Sequence, residues 1–167
     1  MRIARISVLA AMLFAAPAQV AAAPGSFDDL LLAAQNAERQ RIGQPELVWS
    51  EGLAAQAQLW ANSLARRGSF EHSSGGSGQG ENLWMGTSGA FSPEQMIGGF
   101  ISEARLFRPG RFPYVSRTGN WADVGHYSQI IWPGTREVGC ALARGRDNDV
   151  LVCRYWPAGN VMGQQVP

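Results

Sequence analysis

Glu137-Val138-Gly139-Cys140-Ala141-Leu142-Ala143-Arg144 and Asp149-Val150-Leu151-Val152-Cys153-Arg154-Tyr155-Trp156 flank the short run Gly145-Arg146-Asp147-Asn148. Two apolar, β-rich runs on either side of a four-residue polar turn read as an antiparallel hairpin. With four residues in the turn Arg144 opposes Asp149, and the same register sets Cys140 opposite Cys153. Directly opposed residues at a non-hydrogen-bonded site have Cα atoms about 4.5 Å apart, at the short end of what a disulfide spans. The pattern therefore predicts a Cys140–Cys153 bridge across the hairpin.

Upstream of the hairpin the pattern is helical. Leu30, Leu31, Ala34 and Ala37 recur at helical spacing after Ser26, and Asp28 and Asp29 stand where they complement the helix dipole. A second helix opens after Ser50, carries Leu53, Ala57, Trp60, Ala61 and Leu64 on one stripe, and stops at Gly68 behind Arg66 and Arg67. A third has Ser92 as N-cap and Pro93 at its first position, with Met96, Ile97, Phe100, Ile101, Ala104 and Phe107 facing inward and Glu103 among them. Ser73 to Gly80 reads as an irregular Gly/Ser loop, followed by a short strand over Asn82 to Met85. Arg108 to Trp121 has no period and reads as a long loop; a short helix begins near Asp123 with His126 in its first turn. On pattern alone this is an α+β or a three-layer α/β/α domain.

Arg2 and Arg5, the apolar run Ile6 to Ala16 and the small residues ending at Ala23 make residues 1–23 a secretory signal peptide, with Ala18 and Ala22 as alternative cleavage points. No segment reaches the roughly 20 apolar residues of a membrane span. Removing the leader leaves 12 basic residues against 13 acidic ones, a formal charge of −1. Nucleic-acid binding by phosphate neutralisation and a polybasic membrane anchor are therefore not indicated. Every basic residue is arginine, which excludes a Schiff-base lysine and a phosphate-loop lysine. Residues 24–167 fit one domain, and export lets the two cysteines oxidise.

Two further segments are more specific. Gly125-His126-Tyr127-Ser128-Gln129-Ile130-Ile131-Trp132 and Leu151-Val152-Cys153-Arg154-Tyr155-Trp156-Pro157-Ala158-Gly159-Asn160 resemble the paired signatures of the CAP family: cysteine-rich secretory proteins, antigen 5 and plant pathogenesis-related-1 proteins. Weaker echoes are Asn36-x-x-Arg39, Glu46 to Ser50, and Phe70-Glu71-His72-Ser73. The resemblance runs from about Leu30 to Gly163 and implies an α/β fold, a three-layer α-β-α sandwich with a small, mostly antiparallel sheet. The alanine-rich leader and single disulfide favour a bacterial member, secreted or periplasmic.

The resemblance also implies that His72, Glu81, Glu103 and His126 share one cleft. Two imidazoles can bind Zn²⁺ or another divalent cation, with the glutamates orienting them or completing the shell. Glu103, on an apolar helical stripe, needs a partner because a bare buried carboxylate costs several kcal/mol, and histidine supplies one. The bland reading is that each His–Glu pair only ties elements together around water. The implied function is that of a binding or interaction module for a lipid or sterol, a glycan, or an extracellular protein. The alternative is a zinc-dependent hydrolase or peptidase with Glu81 or Glu103 as general base.

Other chemistry has little support. Ser73 beside His72 and Ser128 near His126 lack a Gly-x-Ser-x-Gly elbow, there is no His-Glu-x-x-His helix, and Gly76-x-Gly78-x-Gly80 lacks the flanking strand and helix of a dinucleotide site. Trp60 is read as core, whereas Trp121, with Phe112 and Tyr114, could line a groove or fold back onto its own domain. Gln35 and Phe100 depart from residues frequent in the family, histidine and tryptophan respectively, at positions that do not touch the four cleft residues.

Overall fold

The computed structural model describes residues 25–74 and 78–167; the expected signal peptide and part of the Gly/Ser loop lie outside them. Ser26 caps α1 (Phe27–Arg41): its hydroxyl accepts from the amide of Asp29, whose carboxylate accepts from the amide of Ser26. α2 (Glu51–Arg67) ends at Gly68 with φ +63°, a left-handed cap that glycine adopts without penalty. Ser92 and Gln95 form a second capping box at the start of α3 (Pro93–Ile101). α4 (Gly125–Ile130) follows a 3₁₀ turn, Trp121–Val124, and carries His126 in its first turn.

The main sheet has the order β1 (Val48–Trp49), β4 (Glu137–Arg144), β5 (Asn148–Trp156), β2 (Gly80–Thr87). Only β1–β4 is parallel. Cys140 pairs with Cys153 and Arg144 with Asp149, as the hairpin register predicts, and the cysteines are bridged with Cα atoms 4.0 Å apart. Alternation along the strands splits the core in two. Ala141, Ala143, Val150, Val152 and Leu83 face Ala57, Ala61 and Leu64 of α2. Val138, Cys140, Leu151, Cys153 and Tyr155 face the other way, onto Leu31 of α1, Met96, Ile97 and Phe100 of α3, and Tyr127 and Ile130 of α4. The result is a three-layer α-β-α sandwich. Among the described residues no helix is long and apolar enough to cross a membrane.

Three elements differ from the sequence expectations. β2 is eight residues long instead of four and pairs with β5 throughout. The supposed structureless loop contains β3 (Gly110–Arg111), which pairs with β6 (Gln165–Val166) in a separate small sheet. The third helix does not run on to Phe107: it ends at Ile101 and tightens into a 3₁₀ turn over Ser102–Arg105. Trp60 packs against the α2 side of the core as expected, half-buried, with its indole donating to the Glu71 carbonyl and Arg67 over its ring.

The Asn36-x-x-Arg39 step has a structural reason. The Asn36 side chain both donates to the carbonyl and accepts from the amide of Leu47. Arg39 is fully buried and donates to the carbonyls of Pro45, Ile130, Trp132 and Thr135, tying α1 to the end of α4 and the entry to β4. No carboxylate pairs with it among the described residues, and burial pulls its pKa down to about 10.

Candidate functional site

The cleft lies where β2 begins and β5 ends, and side chains from the loop after α2, from these two strands and from α4 line it. It has a volume of about 470 Å³ and is lined by His72, Glu81, His126, Trp121, Gln129 and Arg154 among others. Glu103 does not line it and sits behind His126. The four predicted residues form two pairs, His72 with Glu81 and His126 with Glu103. Among the described residues no three His, Cys, Asp or Glu are grouped closely enough to hold a metal ion.

In the first pair, Glu81 Oε1 takes the Nδ1 of His72 at 2.8 Å and the amide of Ser73 at 2.9 Å. Its Oε2 accepts from the Ser73 hydroxyl at 2.8 Å and faces Arg154 Nη2 at 3.2 Å. Arg154 reaches it because β2 and β5 pair Glu81 directly with Arg154, and directly opposed residues share a face. Burial alone would raise the Glu81 carboxyl, but the bonds from His72 and Ser73 and the charge of Arg154 outweigh it and hold the group below the usual carboxylate range. The same hydrogen bond to Glu81 pushes His72 above its ordinary value of 6.5. Arg154 was not anticipated from the sequence; its signal was the β2–β5 register, which the short predicted strand did not supply.

In the second pair, the 3₁₀ turn after α3 carries Glu103 towards the start of α4. Oε2 accepts from the amides of His126 and Tyr127, each at 3.0 Å, while Oε1 lies 2.6 Å from His126 Nδ1. These amides are donors that the helix itself cannot satisfy, so Glu103 caps α4 as well as orienting the imidazole. A carboxylate only accepts, so in both pairs Nδ1 carries the proton, and in the neutral form of each ring Nε2 is left as the lone-pair donor.

The remaining signature residues build the frame. Gln129 Oε1 accepts from the amide of Gly159, and the Ser128 hydroxyl donates to Asn160, whose amide donates to the Gly125 carbonyl. Gly159 has no room for a side chain, since a Cβ there would stand 2.9 Å from both Gln129 Oε1 and the Trp132 ring. Asn82 donates to the His126 carbonyl and to the Tyr155 hydroxyl, which in turn donates to Gln35. Gln35 is therefore a buried strut between α1 and β5. Phe100 is not remote from the site: its ring stacks on that of His126, with centroids 4.8 Å apart and planes inclined by 24°. Trp121 does both things foreseen for it, lining the cleft while packing edge-on against Phe112 at 5.3 Å. The hydroxyls of Ser73 and Ser128 point to Glu81 and Asn160 and not to an imidazole.

An α-β-α sandwich with two His–Glu pairs at the strand ends defines the class, and comparison with known proteins agrees. Residues 32–155 match the model of the CAP, cysteine-rich secretory protein family, and the chain belongs to that family. It is 32% identical over 142 residues to the pathogenesis-related protein PR-1 of Medicago truncatula, covering 84% of this chain and 79% of the relative. With GLIPR1-like protein 1 of Homo sapiens it shares 30% over 154 residues, spanning 80% of this chain and 60% of that protein. The crystal structure of NaASP2 with Zn²⁺ has the same fold, with TM-score 0.69 at 22% identity over 82% of each chain.

Proposed function

We propose that the chain is an exported binding module of bacterial origin, a leader at residues 1–23 preceding one CAP domain at 24–167, whose cleft holds a divalent cation between His72 and His126. One observation carries this reading. Each imidazole spends Nδ1 on a carboxylate, and both rings line the same 470 Å³ cleft, leaving Nε2 to serve as metal donor. That NaASP2 was crystallised with Zn²⁺ supports the choice of ion. Two imidazoles fit Zn²⁺ as a partial donor set, with the glutamates in outer positions. When bound, the cation supplies a charge that draws an oxygen donor of the ligand into the cleft.

The chain's own residues define the rest of the binding surface. Trp121, 41% exposed, offers an aromatic wall. The polar lining of Ser73, Asn82, Gln129 and Asn160 suits a ligand with oxygen functions: a glycan, the polar end of a lipid or sterol, or a segment of an extracellular protein.

Binding ranks above hydrolysis because both carboxylates are already committed. Glu81 accepts from His72 and twice from Ser73 and pairs with Arg154, while Glu103 accepts three bonds, so neither is free to take a proton from water. Metal analysis of protein purified without chelator, beside a His72→Ala/His126→Ala double variant, tests the reading. Stoichiometric metal in the first and none in the second is the expected result. Cleavage of a peptide library by zinc-loaded protein, abolished by Glu81→Gln with metal retained, would replace the binding module by a hydrolase.

A further inference from the structure

Away from the cleft, the last turns of α2 and the β4–β5 turn border a second, open pocket of about 240 Å³. Arg66, Arg144 and Arg146 line it together with Asn62, Ala65 and Gly145, and no acidic residue does. Among the described residues these three arginines donate no side-chain hydrogen bond and enter no ion pair. Arg39, Arg41, Arg67, Arg111, Arg117, Arg136 and Arg154 are engaged, whereas Arg105 and Arg108, which share the lack of a side-chain partner, lie after α3 and not in this pocket. Arg144 also borders a groove that holds Asp28 and Glu51 and pairs with neither.

Asn62 adds a neutral donor. Its Oδ1 already accepts from Gln58 Nε2 at 2.9 Å, so the amide group is what remains to offer. Ala65, Ala143 and Gly145 are small and leave the space between the guanidinium groups open. Arg66, in the last turn of α2, also complements the negative end of that helix. That role does not extend to Arg144 and Arg146, which stand on the hairpin. Three like charges around one pocket repel each other, and an anion placed among them converts repulsion into attraction. Guanidinium forks match tetrahedral oxyanions in a bidentate way that an ammonium does not.

We infer that the Arg66–Arg144–Arg146 pocket binds the phosphate or sulfate group of a monoester, independently of the cation cleft. At about 240 Å³ and open to solvent, it has room for a group that carries a substituent. The same headgroup chemistry occurs on soluble esters and on anionic lipids, and the test separates these sources.

The full exported chain is titrated with inorganic phosphate at constant ionic strength while backbone amide shifts are followed by NMR. Saturable shifts confined to residues 62–67 and 143–148 are expected, unchanged in the His72→Ala/His126→Ala variant. Each single Arg→Gln substitution should weaken binding roughly three- to tenfold. The triple Arg→Gln variant should abolish it, with thermal unfolding as the control for folding, and the triple Arg→Lys variant should retain weakened binding. Sedimentation with phosphatidic acid vesicles, reversed by free phosphate, would assign the pocket to a lipid headgroup. Phosphate shifts without sedimentation would assign it to a soluble ester. Shifts reproduced by sodium chloride alone, or either form of binding surviving the triple Arg→Gln substitution, overturn the proposal.

Discussion

Phe100 lies nearly flat against His126, with ring centroids 4.8 Å apart and planes inclined by 24°. The imidazole is thus held on one face by a buried ring and at Nδ1 by Glu103, which leaves its Nε2 direction with little freedom. Stacked aromatic pairs are worth about 0.5–1.5 kcal/mol beyond their buried area. Phe100→Leu keeps an apolar side chain and removes the stack. It should weaken Zn²⁺ binding by up to about tenfold, measured by calorimetry, while urea unfolding shows the fold intact. Unchanged affinity would mean that Phe100 only fills space.

Glu103 accepts the first amides of α4 as well as the imidazole. In Glu103→Gln a single amide oxygen must serve donors that two carboxylate oxygens now satisfy. Losing an acceptor for a part-buried N–H costs about 1–3 kcal/mol. The urea midpoint should fall accordingly even without metal. A midpoint equal to that of the wild type would show that Glu103 is not a structural cap.

The His72–Glu81 pair sets a pH window. His72 is raised above 6.5 in the folded state, chiefly by its bond to Glu81, so its contribution is complete below 6.5 and is lost as pH rises through the raised value. Glu81 is depressed below 4.5, so its contribution is present above 4.5 and is lost as pH falls through the depressed value. A cation requires neutral His72 and binds better on the alkaline side, opposite to the proton-linked stability. An NMR titration of the His72 ring should give a value above 6.5 that drops back in Glu81→Gln. A ring titrating at 6.5 in both proteins would show that the two side chains are not paired in solution.

Cys140 and Cys153 close a loop of sequence separation 13 at the centre of the hairpin. Chain entropy puts the bridge at about 3 kcal/mol for a loop of this size. Intact mass of the protein produced in an oxidising compartment, with and without alkylation, should show no free thiol. Reduction should lower the unfolding free energy by about that amount.

How far the sequence could be read depended on whether each signal was local. Ser26, Ser92 and Gly68 mark helix ends through their own side chains or φ angles, and the structure places the ends there. The hairpin register follows from the turn length, so Cys140 and Cys153 could be paired by counting. Val48–Trp49, Gly110–Arg111 and Gln165–Val166 are strands of two residues, too short to show a period, and exist because distant segments pair with them. The stripe through Phe107 continued past Ile101, yet Glu103 bonds to α4 while the chain tightens into a 3₁₀ turn. Arg154 and Phe100 meet the cleft residues through strand register and helix packing, neither of which a single sequence states.

In the proposed function a divalent cation is held by His72 and His126 together. Calorimetric titration of metal-free protein with Zn²⁺ at pH 7 and pH 5 decides whether they hold it. One site is expected at pH 7, strongly weakened at pH 5 and absent in both His72→Ala and His126→Ala. Binding of equal strength at the two pH values, or in the double alanine variant, would contradict it.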